Sequence, residues 1–258
     1  MIELNKIYNE DCLEGMKRIP DGSVDCVICD LPYGTTACSW DSIIPLNELW
    51  GGYKRIVKPH APILLFGSEP FSTLLRTSNM KEWRYDWIWE KNISAGFVHA
   101  KNRPLKNYEI ISAFCQFGMG HKSTMGNRRM PYNPQGLIPC HKVQHNTKAK
   151  FGGVVGSRPS HKDEIVSEWA NYPTAILKFD KEGKTFHPTQ KPVALIQYLI
   201  RTYSNEGDTI LDNCMGSGTT AIAAIREKRN FIGFELNKEY YDKACKRIKL
   251  EQAQLTLF

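Results

Sequence analysis

Asp30-Leu31-Pro32-Tyr33 is the first segment of this chain whose residue types could do chemistry. It follows Val24–Cys29, a continuous apolar run that reads as a buried strand of a parallel sheet. The carboxylate would then stand at the carboxyl end of a strand, where open α/β sheets collect their ligands. An aryl amine is a poor nucleophile, because its lone pair is delocalised into the ring. Two acceptors gripping the amino hydrogens would help the nitrogen become tetrahedral as it attacks. Asp30 could supply one and the Leu31 carbonyl the other. Pro32 fixes the turn, and Tyr33 offers a face on which a base extruded from a duplex could stack. Asp, Pro, Tyr and Gly are also ordinary turn residues, so the tetrapeptide alone is equally a strand-ending turn.

A second constellation lies far along the chain. Ile210-Leu211-Asp212-Asn213-Cys214-Met215-Gly216-Ser217-Gly218-Thr219-Thr220 reads as a strand, a tight glycine turn and the start of a helix. Such a turn lets a ligand approach the backbone and aims amide N–H groups at an anionic moiety. Glycine turns also close many strand–helix units that bind nothing. Glu235 tips the balance, since it ends the next strand 23 residues after Asp212. In nucleoside-binding α/β folds an acid at about that spacing accepts hydrogen bonds from ribose hydroxyls. Thr219, Thr220 and Ala221 follow Gly218, so the G-x-G-x-x-G fingerprint is missing and NAD is disfavoured.

These residues need elements to position them. Strands are expected at Ile2–Tyr8, Val24–Cys29, Pro62–Gly67, Thr209–Leu211 and Phe231–Glu235. Trp83–Glu90 and Tyr108–Cys115 read as two antiparallel strands near a sheet edge. Helices are expected over Asp11–Ile19, around Leu46, Leu49, Trp50, Tyr53 and Val57, from Pro192 to Tyr203, from Thr219 to about Lys228, and beyond the cap Asn237. Strand–helix alternation at both ends argues for one doubly wound sheet built from both halves. Between them, about Met119 to Tyr172 is rich in Gly, Pro, Asn, His and Lys without a sustained period. Irregular stretches that long inside a domain usually serve function.

The chain has 258 residues and a formal net charge of +7, enough for one sizeable core. Its basic balance is weak evidence by itself, but the distribution is informative. Met119–Lys162 carries eight Lys or Arg, four of the seven histidines and no Asp or Glu. A phosphate-binding surface needs that asymmetry, whereas a solvated loop would mix signs. Lys122, Arg128, Arg129, Lys142, Lys148, Lys150 and Arg158 are therefore the candidate DNA contacts. The eight cysteines are scattered, and Cys26 with Cys29 has no second pair to complete a zinc site. They read as reduced thiols used as small core hydrophobes. No run approaches the roughly 20 apolar residues of a membrane span, and no targeting segment is read, so a cytoplasmic protein associated with DNA is expected.

Taken together, Asp30-Leu31-Pro32-Tyr33, His187-Pro188-Thr189-Gln190-Lys191-Pro192, Asp212–Thr220 and Glu235 resemble the amino-group DNA methyltransferases. Their order resembles the permuted β group: catalytic tetrapeptide, target-recognition region, cofactor half. The resemblance implies a Rossmann-like α/β methyltransferase with a mixed doubly wound sheet. Its catalytic half would span 1–118, a target-recognition insertion 119–185, the cofactor half 186–250 and a tail 251–258. It implies S-adenosylmethionine as cofactor, double-stranded DNA as substrate, and neither metal nor covalent enzyme intermediate.

On that resemblance Gly216, Ser217, Gly218, Thr219 and Thr220 would line the methionine part, with Lys191 and its neighbours His187 and Thr189 near the carboxylate. Glu235 would hold the ribose, and Leu236 belongs to the same cofactor-binding set. Asp11, beside Cys12, matches the acid that meets the adenine amine, and Asp30, Asp212 and Asn213 complete the cofactor set. Asp30, Leu31, Pro32 and Tyr33 would hold the target base. Two departures stand out: Leu31 replaces a usual proline, and Cys214 a usual aromatic. Asp rather than Ser at position 30 is the family's pattern for adenine N6 over cytosine N4. A protein keeping the fold without catalysis is the rival from another class. The resemblance also implies a dimer and a restriction–modification setting, with no interface located. The end of the chain, Gln254-Leu255-Thr256-Leu257-Phe258, resembles the pentapeptide by which bacterial repair proteins dock on the sliding clamp. Its bland alternative is a cap on the last helix.

Overall fold

The computed structural model describes residues 2–34, 42–120, 125–145, 164–183 and 185–255. It divides into two compact units. One combines Met1–Asn133 with Ala175–Phe258, and the other is Pro134–Thr174.

In chain order the main unit contains β1 (Lys6–Tyr8), α1 (Cys12–Met16), β2 (Cys26–Cys29), α2 (Leu46–Ile56), β3 (Ile63–Gly67), α3 (Phe71–Ser78), β4 (Trp83–Ala95) and β5 (Lys106–Phe114). The hairpin strands β6 (Ile138–His145) and β7 (Glu164–Ala170) form the second unit. The main unit resumes with β8 (Ile176–Lys178), α4 (Val193–Tyr203), β9 (Thr209–Asp212), α5 (Thr219–Arg226), β10 (Asn230–Phe234) and α6 (Lys238–Leu255).

Eight strands make one sheet in the order β1-β10-β9-β2-β3-β5-β4-β8. The first five are parallel, and β5 runs antiparallel to both β3 and β4. The expected mixed, doubly wound sheet is what forms. From β2 the chain moves outward to β3, and from β9 it moves the opposite way to β10. The gap beyond the carboxyl ends of β2 and β9 is therefore the topological switch point, where such sheets bind ligands.

Alternation along β2 shows why its run is apolar throughout. Cys26 and Ile28 face a core with Leu195 and Leu199 of α4 and Ala221 and Ile222 of α5. Val27 and Cys29 face the opposite core with Met16 of α1, Leu49 and Tyr53 of α2, and Phe71 of α3. A strand covered on both faces needs apolar residues at every position. The seven described cysteines are free, four of them buried, as small core hydrophobes should be.

Some elements depart from expectation. β1 starts at Lys6 and β2 at Cys26, because only those residues pair with neighbouring strands. Helix α3 and strand β8 were not signalled, since eight and three residues are too short for a period to stand out. β4 runs to Ala95, past the expected end at Glu90. The irregular stretch contains the β6–β7 hairpin. Both its strands are exposed on nearly every residue, so no buried face imposes a two-residue period on the sequence. At the other end, α6 continues to Leu255, so Gln254 and Leu255 close a helix, while Leu257 and Phe258 lie outside the described residues. Among the described residues no helix is long and apolar enough to cross a membrane.

Candidate active site

A cavity of about 420 Å³ opens at the switch point. Asp30, Leu31, Pro32 and Tyr33 line one side, delivered by the end of β2. The Leu31 side chain is itself buried in the core shared by α1, α2 and α3. An aliphatic residue replaces the ring there without leaving a polar group stranded. The Tyr33 hydroxyl donates to Asp30 Oδ1 at 2.6 Å, and its ring stacks on Phe71 at 5.1 Å and 23°.

Lys191 reaches the same carboxylate from 161 residues away, donating to Asp30 Oδ2. Its ammonium also lies 3.2 Å from Glu109 Oε2 on β5 and over the Phe66 ring. Glu109 in turn accepts from Lys91 through Oε1. Two carboxylates and two ammonium groups therefore alternate as Asp30–Lys191–Glu109–Lys91. Burial pushes the Asp30 carboxyl above its ordinary range, with the Lys191 charge opposing. Glu109 is held below its ordinary range despite burial, because two ammonium groups flank it. The resemblance placed Lys191 near a cofactor carboxylate, but here its charge is engaged by Asp30 and Glu109. Glu109 was missed by the sequence reading. The available signal was an acid directly before the apolar pair Ile110-Ile111 of β5.

The opposite wall comes from the glycine turn. Gly216 has φ +52 and donates to Glu235 Oε2 at 2.7 Å, while Asn237 donates to Oε1 at 2.7 Å. These bonds hold the Glu235 carboxylate at the cavity with lone pairs to spare. Gly218, with φ +77, does not line the cavity. A Cβ there would sit 3.2 Å from Ala244, so a glycine at this position permits the close approach of α5 and α6. The other expected cofactor residues, from Asp11 and Cys12 to Thr219, Thr220 and Leu236, do border the cavity. Asp11 also caps α1, accepting from Leu13 and Glu14. Cys214 shares the donor Asn213 Nδ2 with Cys12, so two sulfurs and an amide stand where the usual aromatic would. Burial pushes the Asp212 carboxyl up to about 6.

His187 packs edge-on against Tyr240, 4.3 Å between centroids, and its Nδ1 meets the Thr189 hydroxyl. Burial, aided by the nearby Lys191 charge, lowers it from 6.5 to about 4. The folded state thus favours the neutral ring, and the unfolded chain takes up the proton first as pH falls. Stability held above pH 6.5 is lost between there and pH 4, by up to about 3 kcal/mol. Urea denaturation should show His187→Asn losing about 2 kcal/mol less than wild type between pH 7 and pH 4.5. Equal losses would refute this assignment.

Arg128 and Arg129 stand in the main unit and Lys142 on the exposed hairpin, while Lys122, Lys148, Lys150 and Arg158 lie outside the described residues. Among the described residues no cluster of His, Cys, Asp and Glu could hold a metal ion.

A family model described as DNA methylase matches residues 24–246. The Type II methyltransferase M1.MboII of Moraxella bovis is 31% identical over 261 aligned residues, 95% of this chain and 96% of that protein. Two solved structures share the fold. The M1.HpyAVI–SAM complex has a TM-score of 0.61 at 24% identity, covering 94% of this chain and 98% of that one. The cytosine-N4-specific PvuII DNA methyltransferase has a TM-score of 0.64 at 15% identity, covering 94% and 85%.

Proposed function

The chain belongs to the N6/N4 DNA methylase family, and from that premise we propose that it methylates adenine N6 in double-stranded DNA with S-adenosylmethionine as donor. The observation that carries the reading is the meeting of Asp30-Leu31-Pro32-Tyr33 and the Glu235-tied glycine turn on one cavity. The residues present fit the cofactor. Gln190 Oε1 is buried without a hydrogen-bond partner beside the cavity, and its amide nitrogen is held by Glu182 at 2.6 Å. That orphan acceptor suits the methionine ammonium, and the first amides of α5 suit the carboxylate. Glu235 would hold the ribose hydroxyls and Asp11 the adenine amine, with Leu236 bordering the same cavity. When bound, the cofactor supplies a methyl group made electrophilic by its sulfonium.

The protein's own residues do the rest. Asp30 and the Leu31 carbonyl accept the two amino hydrogens of the target base, which draws the lone pair off the ring toward the methyl carbon. Lys191 keeps Asp30 ionised in a buried setting, and Tyr33 supplies a stacking face. Arg128, Arg129 and Lys142 would meet backbone phosphates. The Asp at position 30 supports adenine, but the cytosine-N4 enzyme shares the fold, so only chemistry decides the base. Nucleoside analysis of DNA incubated with the protein and labelled cofactor is expected to yield N6-methyladenine. N4-methylcytosine alone would overturn the choice of base.

The two contacts of Tyr33 predict a split. Tyr33→Phe keeps the ring on Phe71 and removes only the bond to Asp30, so kcat/KM is expected to stay within about fivefold of wild type. Tyr33→Ala removes the stacking face and should lower it about 10- to 100-fold. Equal effects of both substitutions would show that stacking is not the role of Tyr33.

A further inference from the structure

The β4–β5 arm outruns its neighbours in the sheet. Pairing of β3 stops at Gly67 with Ile110, and pairing of β8 stops at Lys178 with Glu90. β4 and β5 continue to Ala95 with Lys106 and are joined by a tip, 96–105. At that tip Phe97 is 82% exposed and Val98 90% exposed, the two most exposed large apolar side chains among the described residues. The tip is not a loose loop. His99 and Ala100 donate to the Gly96 and Phe97 carbonyls, and Asn102 and Arg103 both donate to His99. A backbone ordered this way presents an aromatic and a β-branched residue to water, which only a partner would compensate.

Charge and position say which partner. From Lys91 to Tyr108 the chain carries Lys91, Lys101, Arg103 and Lys106 and no acid. The arm rises from the catalytic edge of the sheet. Because β5 runs antiparallel to β3, its start lies beside the end of β3, and Lys106 donates to Ser68 there. Glu109, which holds Lys191 against Asp30, is three residues from Lys106, roughly 10 Å along a strand. An exposed apolar pair followed by Lys101 and Arg103 thus tops the arm whose base, at Glu109, borders the pocket that would take an extruded base. Proteins that unstack DNA insert Phe or another apolar side chain at the opened step, with basic residues on the phosphates around it.

We propose that Phe97 and Val98 are the wedge that enters duplex DNA and fills the space left by the target base, with Lys101 and Arg103 on the flanking phosphates. The inference rests on the DNA-methylating reading above. It also explains why β4 and β5 extend beyond the sheet they belong to.

The test uses the full chain once its modified site has been mapped. Two duplexes are compared, one with the target base paired and one with it opposite an abasic position, where extrusion costs least. Phe97→Ala/Val98→Ala is expected to lose about tenfold or more in kcat/KM on the paired duplex and to stay within about threefold of wild type on the other. Phe97→Leu, which keeps an apolar wedge, should retain most of the activity on both. Cofactor affinity should be unchanged in every variant. Equal losses on the two duplexes, no loss on the paired one, or a change in oligomeric state caused by the double substitution would overturn the wedge. A wild-type chain that modifies no DNA would instead defeat the reading beneath it.

Discussion

Asp30→Ala is expected to lower kcat for methyl transfer about 10³-fold, the scale on which removing one preorganised group from a transition state is felt. The carboxylate is the one charged acceptor that the tetrapeptide brings to the cavity. The Leu31 carbonyl survives the substitution but grips only one amino hydrogen. The fold should tolerate the change. Lys191 would still lie 3.2 Å from Glu109, so no buried ammonium is abandoned. Single-turnover rates with saturating cofactor measure the effect, beside a cofactor titration of the same protein. Asp30→Asn keeps an oxygen and loses the charge, so it should fall between wild type and alanine. Near-wild-type turnover by the alanine variant would remove Asp30 from the chemistry.

The second large effect concerns stability as much as rate. Lys191 has a side chain only 7% exposed and stands between two carboxylates. Lys191→Met preserves volume but removes the charge, leaving Asp30 and Glu109 without their shared ammonium. Breaking a buried ion pair from one side costs about 3–5 kcal/mol. Lys91 still holds Glu109, which argues for the lower end of that range. The dependence on pH has a definite sign. Without the ammonium, burial and the Glu109 charge raise the Asp30 carboxyl further above its ordinary range. A carboxyl raised in the folded state binds its proton more tightly there than in the unfolded chain. The variant therefore recovers stability relative to wild type as pH falls through that raised value. Any remaining turnover needs ionised Asp30, so the acid limb of the rate profile should move to higher pH. Urea titrations near pH 8 and pH 5 check both points. A stability gap that is absent, or the same at both values, would refute the network.

Some of this was legible in the sequence because the signals are local. The apolar run before Asp30, the glycine turn before Thr219 and the acid at Glu235 are each written within a few residues. Strand type and turn chemistry follow from side-chain type and backbone preference alone. The doubly wound sheet followed too, because alternating strands and helices leave few ways to bury both faces of β2. The order of motifs and their resemblance to a family pointed to the same cavity that the structure forms, with Gly218 as the exception. Its φ is that of a turn glycine, and the packing of Ala244 beside it is a contact that no local pattern encodes.

What the sequence by itself determined is therefore the sheet and the two groups of residues that its edge brings to one cavity. Only the tertiary structure decided their charge partners. Asp30 and Lys191 are 161 residues apart, and Glu109 lies on a strand whose partner register no local pattern encodes. Burial then makes the pairing matter: at the surface water would screen these charges, whereas beside the cavity each must be answered by another. The projecting arm has the same origin. Phe97 and Val98 read as ordinary apolar residues in one dimension, and become unusual only because β4 and β5 continue past the ends of β3 and β8 and leave them in water.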